Sequence, residues 1–201
     1  VTEFTGQSSA DVIDARLTTT GTVAASMGAG NDTVKLSALA AGTVVIDGGA
    51  GTDTLVFDTS TNLTTVAETI SNIEVLAIDA ANGGAVTLTV DTAAISGKSY
   101  IVTGTGTNDI LSVVTSQTGS LDLSTLTVDD ADIAVTIDLT STAGVANTIV
   151  GSNADDTLSN AGAGVITVDG GAGADSLTTG SAADIITAGE GADTIDANGG
   201  A

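Results

Sequence analysis

Residues 170–178 read Gly-Gly-Ala-Gly-Ala-Asp-Ser-Leu-Thr, a glycine-rich half closed by Asp175 and followed by a short apolar half. The stretch belongs to a run. From Thr142 the chain spells TAGVANTIV, GSNADDTLS, NAGAGVITVD, GGAGADSLT, TGSAADIIT, AGEGADTID and an incomplete ANGGA. Only the third unit lacks Asp or Asn before its apolar half, with Val165 and Ile166 in that place. So short a fixed period specifies a solenoid, two units making a coil of about eighteen residues as strand, turn, strand, turn. Glycines make the corners, because a tight six-residue reversal needs positive φ, which glycine adopts at no steric cost. Asp175 stands where the corner ends and the strand begins. The corner carbonyls are expected to lack strand partners and to face the same space as this acid.

Stacking the coils gives the pattern its chemistry. Parallel strands lie about 4.8 Å apart, so Asp156, Asp175 and Asp193, on alternate units, form a column along one edge. Two carboxylates at that spacing repel by about 1 kcal/mol in water and about 3.5 kcal/mol at an effective dielectric near 20. A repeated column therefore calls for a cation. The chain has no His and no Cys, so the donors are carboxylate and carbonyl oxygens. A cage of many protein oxygens suits Ca²⁺ better than Mg²⁺, which keeps several waters.

These units resemble the nonapeptide Gly-Gly-X-Gly-X-Asp-X-(large apolar)-X of the RTX proteins, which form a calcium-bound parallel β-roll. Residues 170–178 match at every fixed position, and 188–196 miss only the first glycine. The resemblance implies an all-β fold, a right-handed parallel β-roll or β-helix solenoid. It also implies several Ca²⁺ ions between the turns of successive coils, held by Asp side chains and by carbonyls of turns such as Gly171–Gly173 and Gly189–Gly191. The best-supplied sites fall between Asp156 and Asp175 and between Asp175 and Asp193. The opposite edge offers Asn147, then no acid, then Asp184, and so departs from the pattern. By register the next acid is due one residue past Ala201. Either the array continues in a longer chain, or an adjoining copy completes that site.

The amino-terminal part repeats with a longer coil. Asp11, Asp32 and Asp53 are spaced 21 apart (53 − 32 and 32 − 11) and end the turns GQSSAD, MGAGND and GGAGTD. Apolar strands follow each acid, and Gly21-Thr22-Val23 recurs as Gly42-Thr43-Val44. Ca²⁺ is expected between Asp11 and Asp32 and between Asp32 and Asp53, in turns carrying Gly28, Gly30, Gly49 and Gly51; the first turn, without internal glycines, is the weakest. Between 58 and 141 the turns are plainer while the strand signal persists. Strands are expected over Asn72–Asp79, Ala85–Asp91, Tyr100–Thr103, Ile110–Val114, Ser120–Val128 and Asp132–Leu139, with a short helix over Leu63–Ile70. The turn 104–109, GTGTND, resembles a degenerate calcium turn ending in Asp109. The organisation expected is a β-roll over 1–57, a plainer solenoid over 58–141 and the nonapeptide roll over 142–201, as one elongated domain.

Composition narrows the function. Of 201 residues, 42% are hydrophobic but 1% aromatic, which suits a narrow core of stacked aliphatic ladders rather than a globule. Without cysteine there is no disulfide framework. Twenty-five acids face three bases, a net charge of -22, which repels nucleic acid and anionic lipid. No apolar run has transmembrane length and no basic-start signal peptide is present. Val1 is not an initiator Met, so the chain is either processed or a piece of a longer one. Hydrolytic triads and phosphate clamps are ruled out by the absent His and Cys and by Arg16, Lys35 and Lys98 as the only bases. The neighbouring carboxylates Asp129-Asp130 and Asp155-Asp156 leave a polysaccharide-active enzyme as a minor alternative; a solvated loop and a turn are the plainer accounts. The expectation is no enzyme. It is a secreted, calcium-dependent structural protein, similar in composition and motif to bacterial surface-layer proteins. Such a protein would pair with itself head to tail into a surface layer or extracellular filament, with cell-surface polysaccharide as a further partner and without membrane insertion. The alternative is an RTX folding and export module of a larger secreted enzyme, toxin or adhesin.

Overall fold

The computed structural model describes residues 2–16, 20–37, 41–79, 83–115, 119–139 and 147–199. Thr142–Ala146 of the first carboxyl-terminal unit and residues 200–201 of the incomplete turn lie outside them. The chain divides into two compact units, Val1–Thr89 with Tyr100–Ile110, and Val90–Ser99 with Leu111–Ala201. Both are built from short parallel strands stacked in register, so the fold is an all-β parallel solenoid with almost no helix.

In the first unit one sheet stacks Thr2–Thr5, Thr20–Ser26, Ala41–Asp47 and Ala67–Ser71, and another stacks Val12–Asp14, Thr33–Leu36, Thr54–Phe57, Val75–Ile78 and Ile101–Gly104. Alternation fixes which side chains turn inward. Val34, Leu55, Leu76 and Val102 share one register position and Leu36, Phe57 and Ile78 another, and all seven are buried. Each such side chain contributes about 1.5–3 kcal/mol when taken from water. Narrow ladders of this kind need few rings, which accounts for the low aromatic content: Phe57 and Tyr100 are both interior.

In the second unit Ile133–Leu139, Asp156–Asn160, Ser176–Thr178 and Thr194–Asp196 stack along one sheet, and Ser120–Asp122, Asn147–Val150, Ile166–Asp169 and Ile185–Thr187 along another. Ile137, Leu158 and Leu177 make one buried ladder, and Ile149 and Val168 a second.

Two expectations are corrected. Leu63–Ile70 is not a helix: Asn62 Oδ1 accepts from the Thr64 N–H and hydroxyl, at 2.9 and 2.7 Å, to form a turn, and Ala67–Ser71 then pairs with Ala41–Asp47. The one helix among the described residues is Thr92–Ile95, opened by Asp91, whose side chain accepts from Ala94 N–H. Ser120–Val128 is not one strand either. Asp122 accepts from the Ser124 N–H and hydroxyl, and Leu126 N–H bonds Leu123 O at 2.9 Å, so a turn separates Ser120–Asp122 from Thr127–Val128. In both places a side chain outbids the sheet ladder for the backbone.

Candidate metal centre

The strand register puts Asp11, Asp32 and Asp53 in one column, because Val12, Thr33 and Thr54 are successive partners. One carboxylate oxygen of each rung is used structurally: Asp11 N–H donates to Asp32 Oδ1 and Asp32 N–H to Asp53 Oδ1, both at 2.7 Å. The second unit repeats the device, with Asp156 N–H to Asp175 Oδ1 at 2.9 Å and Asp175 N–H to Asp193 Oδ1 at 3.0 Å. Asp32, Asp53 and Asp175 are each 1% exposed. Their Oδ2 atoms are buried and accept no hydrogen bond. A buried carboxylate oxygen left this way costs several kcal/mol unless a charge of opposite sign faces it.

Glycine makes room for that partner. A Cβ on Gly170 would overlap Asp175 Oδ2 and the Ala188 carbonyl of the next coil, and a Cβ on Gly48 would lie 2.7 Å from Asp53 Oδ2. In these two corners, therefore, a carboxylate oxygen and a carbonyl from the neighbouring coil share space that a side chain would fill. Gly28, Gly49, Gly171 and Gly189 all have positive φ, as do Gly30, Gly51, Gly173 and Gly191. The expectation of unpartnered corner carbonyls is corrected in part. Gly28 O accepts from Ala50 N–H and Gly171 O from Glu190 N–H, both at 2.9 Å, because the corners themselves stack in register.

The second residue of the turn goes with the fate of Oδ2. Where it is Gln7 or Ser152, its N–H donates to the Oδ2 of Asp11 or Asp156 at 2.7 Å, and the Ser152 hydroxyl adds bonds at 3.1 and 3.2 Å. Where it is Gly28, Gly49 or Gly171, with φ between 93° and 100°, the acid closing the turn keeps an unpartnered oxygen. Asp11 and Asp156 are thus partly self-satisfied, while Asp32, Asp53 and Asp175 are open to a cation.

On the opposite edge of the second unit Asn147, Ile166 and Asp184 share one register position. Asn147 Oδ1 accepts from Gly119 N–H at 3.0 Å and Asp184 Oδ1 from Ile166 N–H at 2.9 Å. Asp184 Oδ2 is buried without a partner, but its neighbour in the column is apolar. Asp109 behaves alike: it is buried, accepts from Val86 N–H at 2.8 Å through Oδ1 and leaves Oδ2 unpartnered. A Cβ on Gly106 would lie 2.9 Å from that oxygen and 2.8 Å from the Gly84 carbonyl. Asp109 faces Val86 rather than an acid one coil away.

Sequence analysis missed Glu74. It continues the first column, since Thr54 pairs with Val75, and Glu74 accepts from Asp53 N–H at 2.8 Å. The 21-residue spacing points to it (74 − 53), but no glycine corner precedes it. Also missed is an outer line of bonds: Asn31 Oδ1 accepts from Thr52 N–H at 3.0 Å, and Asp155 Oδ1 from Ala174 N–H at 2.7 Å. Asp155 is thereby a turn-stacking residue. Asp129 lies exposed in a loop.

The electrostatics agree with the geometry. Burial pushes the Asp156 carboxyl up to about 7 against the Ser152 hydrogen bonds, with the Asp175 charge adding to the rise. Burial also raises Asp53, helped by the charges of Asp32, Glu74 and Asp47, and raises Asp175, helped by Asp193, Asp155 and Asp169. Away from the columns Arg16 bridges Asp14 and Asp58, and its hydrogen bonds hold Asp14 down at about 2. Among the described residues no three acidic side chains gather at one point, so each centre draws on one or two carboxylates and on backbone carbonyls. That all-oxygen set, with buried unpartnered oxygens inside glycine corners, fits Ca²⁺.

Fold and centres together define a parallel β-solenoid with metal-binding acidic turns. The family model for the RTX calcium-binding nonapeptide repeat matches residues 40–60 and 169–201, in four copies. Those residues carry RTX-type calcium-binding nonapeptide repeats, whose turns bind Ca²⁺, and four copies fit several ions. No curated protein and no solved structure matches it. No helix among the described residues is long and apolar enough to cross a membrane.

Proposed function

We propose that this chain is a secreted structural protein that folds on meeting Ca²⁺ outside the cell and then assembles with copies of itself into a surface layer or extracellular filament. The observation that carries the reading is the set of buried carboxylate oxygens at Asp32, Asp53, Asp109, Asp175 and Asp184 that have no hydrogen-bond partner among the described residues. Such a fold is conditional on cation. RTX repeats are typical of secreted proteins, and the low free Ca²⁺ of a cytosol would leave the acidic columns repelling until export. Self-assembly is supported by large apolar side chains left in water beside the turns: Val12 is 69% and Ile185 61% exposed. Cell-surface polysaccharide is a second partner in this reading, and no catalytic turnover belongs to it.

The other reading, an RTX folding and export module of a larger secreted enzyme, toxin or adhesin, shares the calcium chemistry and differs in where activity resides. Light scattering and electron microscopy of the purified chain separate them. Assemblies that form with Ca²⁺ and dissolve in EDTA are expected for the structural protein. A chain that folds with Ca²⁺ but stays monomeric at high concentration favours the module.

A further inference from the structure

The first acidic column does not stop where the glycine motif stops. Beyond Asp53 the chain runs Ser71-Asn72-Ile73-Glu74, a corner with no glycine and outside the residues matched to the repeat family. It is three residues shorter than the motif turn one coil back, yet it brings a carbonyl and a carboxylate to the same register positions. Asn72 takes the left-handed conformation, φ 52°, which Gly48 opposite it does not, and so turns the chain within the shorter corner. A Cβ on Gly48 would overlap the Asn72 carbonyl, as one on Gly170 would overlap Ala188 O and one on Gly6 Met27 O. That carbonyl thus holds the place of the next-coil corner oxygen. The Glu74 carboxylate receives the Asp53 N–H at 2.8 Å as Asp53 receives that of Asp32. Asp53, 1% exposed, turns an unpartnered Oδ2 toward Gly48, against which the Asn72 carbonyl also packs.

We infer that a divalent-cation site of the Ca²⁺ class lies between Asp53 and Glu74, using Asp53 Oδ2, the Glu74 carboxylate and the Asn72 carbonyl. Glu74 in this role is a ligand that the nonapeptide pattern does not contain. The extra methylene of Glu lets its carboxylate reach the column from a corner that is built without glycine. Tyr100 follows as the next register position, since Val75 pairs with Ile101, and it is 6% exposed. This buried phenol, the only tyrosine in a chain without tryptophan, closes the column and reports on it. The inference rests on the calcium reading of the turns.

The test uses the full chain, Ca²⁺ stoichiometry by native mass spectrometry, and Tb³⁺ as the luminescent probe, excited through tyrosine. The wild-type chain is expected to show Tyr100-sensitised Tb³⁺ emission that Ca²⁺ displaces. Glu74→Gln, which keeps an acceptor for Asp53 N–H but removes the charge, is expected to bind one Ca²⁺ fewer and to lose most of that emission, whereas Asp129→Asn, in an exposed loop, keeps both. Unchanged stoichiometry and emission in E74Q would overturn the site. Should E74Q not fold in Ca²⁺, Glu74→Asp, which keeps the charge and shortens the reach, decides: one Ca²⁺ fewer and weakened emission support the site, and full stoichiometry and emission overturn it. A wild-type chain that binds no Ca²⁺ at all would instead sink the calcium reading itself.

Discussion

At the scale of single residues, the second position of each turn separates acids that complete themselves from acids that await a metal. Ser152 holds Asp156 with its N–H and hydroxyl, and Gly171 leaves Asp175 open. Ser152→Gly is therefore expected to raise Ca²⁺ affinity in the same turn, measurable by calorimetric titration, because it removes about 1–3 kcal/mol of competing hydrogen bonding from the Asp156 carboxylate. Loss of Ca²⁺ affinity in S152G would contradict the assignment. Asp175 has acidic register neighbours on both sides and Asp184 has none among the described residues. Asp175→Ala should shift the Ca²⁺ midpoint of folding further than Asp184→Ala, by about tenfold or 1.4 kcal/mol; equal midpoints would refute it. The raised Asp156 carboxyl gives a pH dependence of definite sign. At about 7 against the ordinary 3.8, the folded chain holds this proton more tightly than the unfolded chain. In EDTA the stabilisation is full below about pH 4 and is lost as pH rises through 7. Raised Asp53 and Asp175 act in the same direction. Far-UV circular dichroism in EDTA at pH 4.5 and 7.5 checks this: more β structure is expected at 4.5, and more at 7.5 would contradict it.

At the scale of the elements, corner and strand are specified by different signals, and only one is fully legible in the residues. The glycine corners were readable because positive φ has few other sources: a Cβ on Gly51, φ 147°, would overlap the Gly30 carbonyl of the preceding coil. Gly51→Ala is expected to lower the melting temperature in saturating Ca²⁺, with a loss of about 2 kcal/mol or more from backbone conformation and overlap together. A melting temperature equal to wild type would show that the corners do not stack this closely. The acidic columns and the ladder strands were readable for a similar reason, since a fixed spacing survives into a parallel register. Glu74 was hidden because its corner uses Asn72, whose left-handed conformation has no glycine to announce it. The break within Ser120–Val128 was missed as well. Its apolar residues Leu121, Leu123, Leu126 and Val128 slip phase by one residue, and what ends the strand there is one carboxylate, Asp122, capping Ser124. The Thr-rich segment after Asn62 fails as a helix for the same kind of reason, a local side-chain acceptor that periodicity does not record.

At the scale of the whole molecule, a net charge of -22 and buried acids without cationic partners make the folded state dependent on what the solution supplies. Arg16 is the one basic side chain seen in ion pairs among the described residues, and it serves Asp14 and Asp58 rather than a column. The aliphatic ladders provide the burial, but they are threaded through coils whose acidic edges repel. A single site filled at a hundred times its dissociation constant adds about 2.7 kcal/mol, so a few sites are enough to decide between folded and unfolded. The proposed export in an open state and closure outside rest on that dependence. The most direct measurement is far-UV circular dichroism of the urea-unfolded chain diluted into EDTA or into millimolar Ca²⁺ at pH 7.5. The account predicts a disordered spectrum in EDTA and a β spectrum that appears cooperatively with Ca²⁺ and not with the same concentration of Mg²⁺. A full β spectrum in EDTA, unchanged when Ca²⁺ is added, would contradict it.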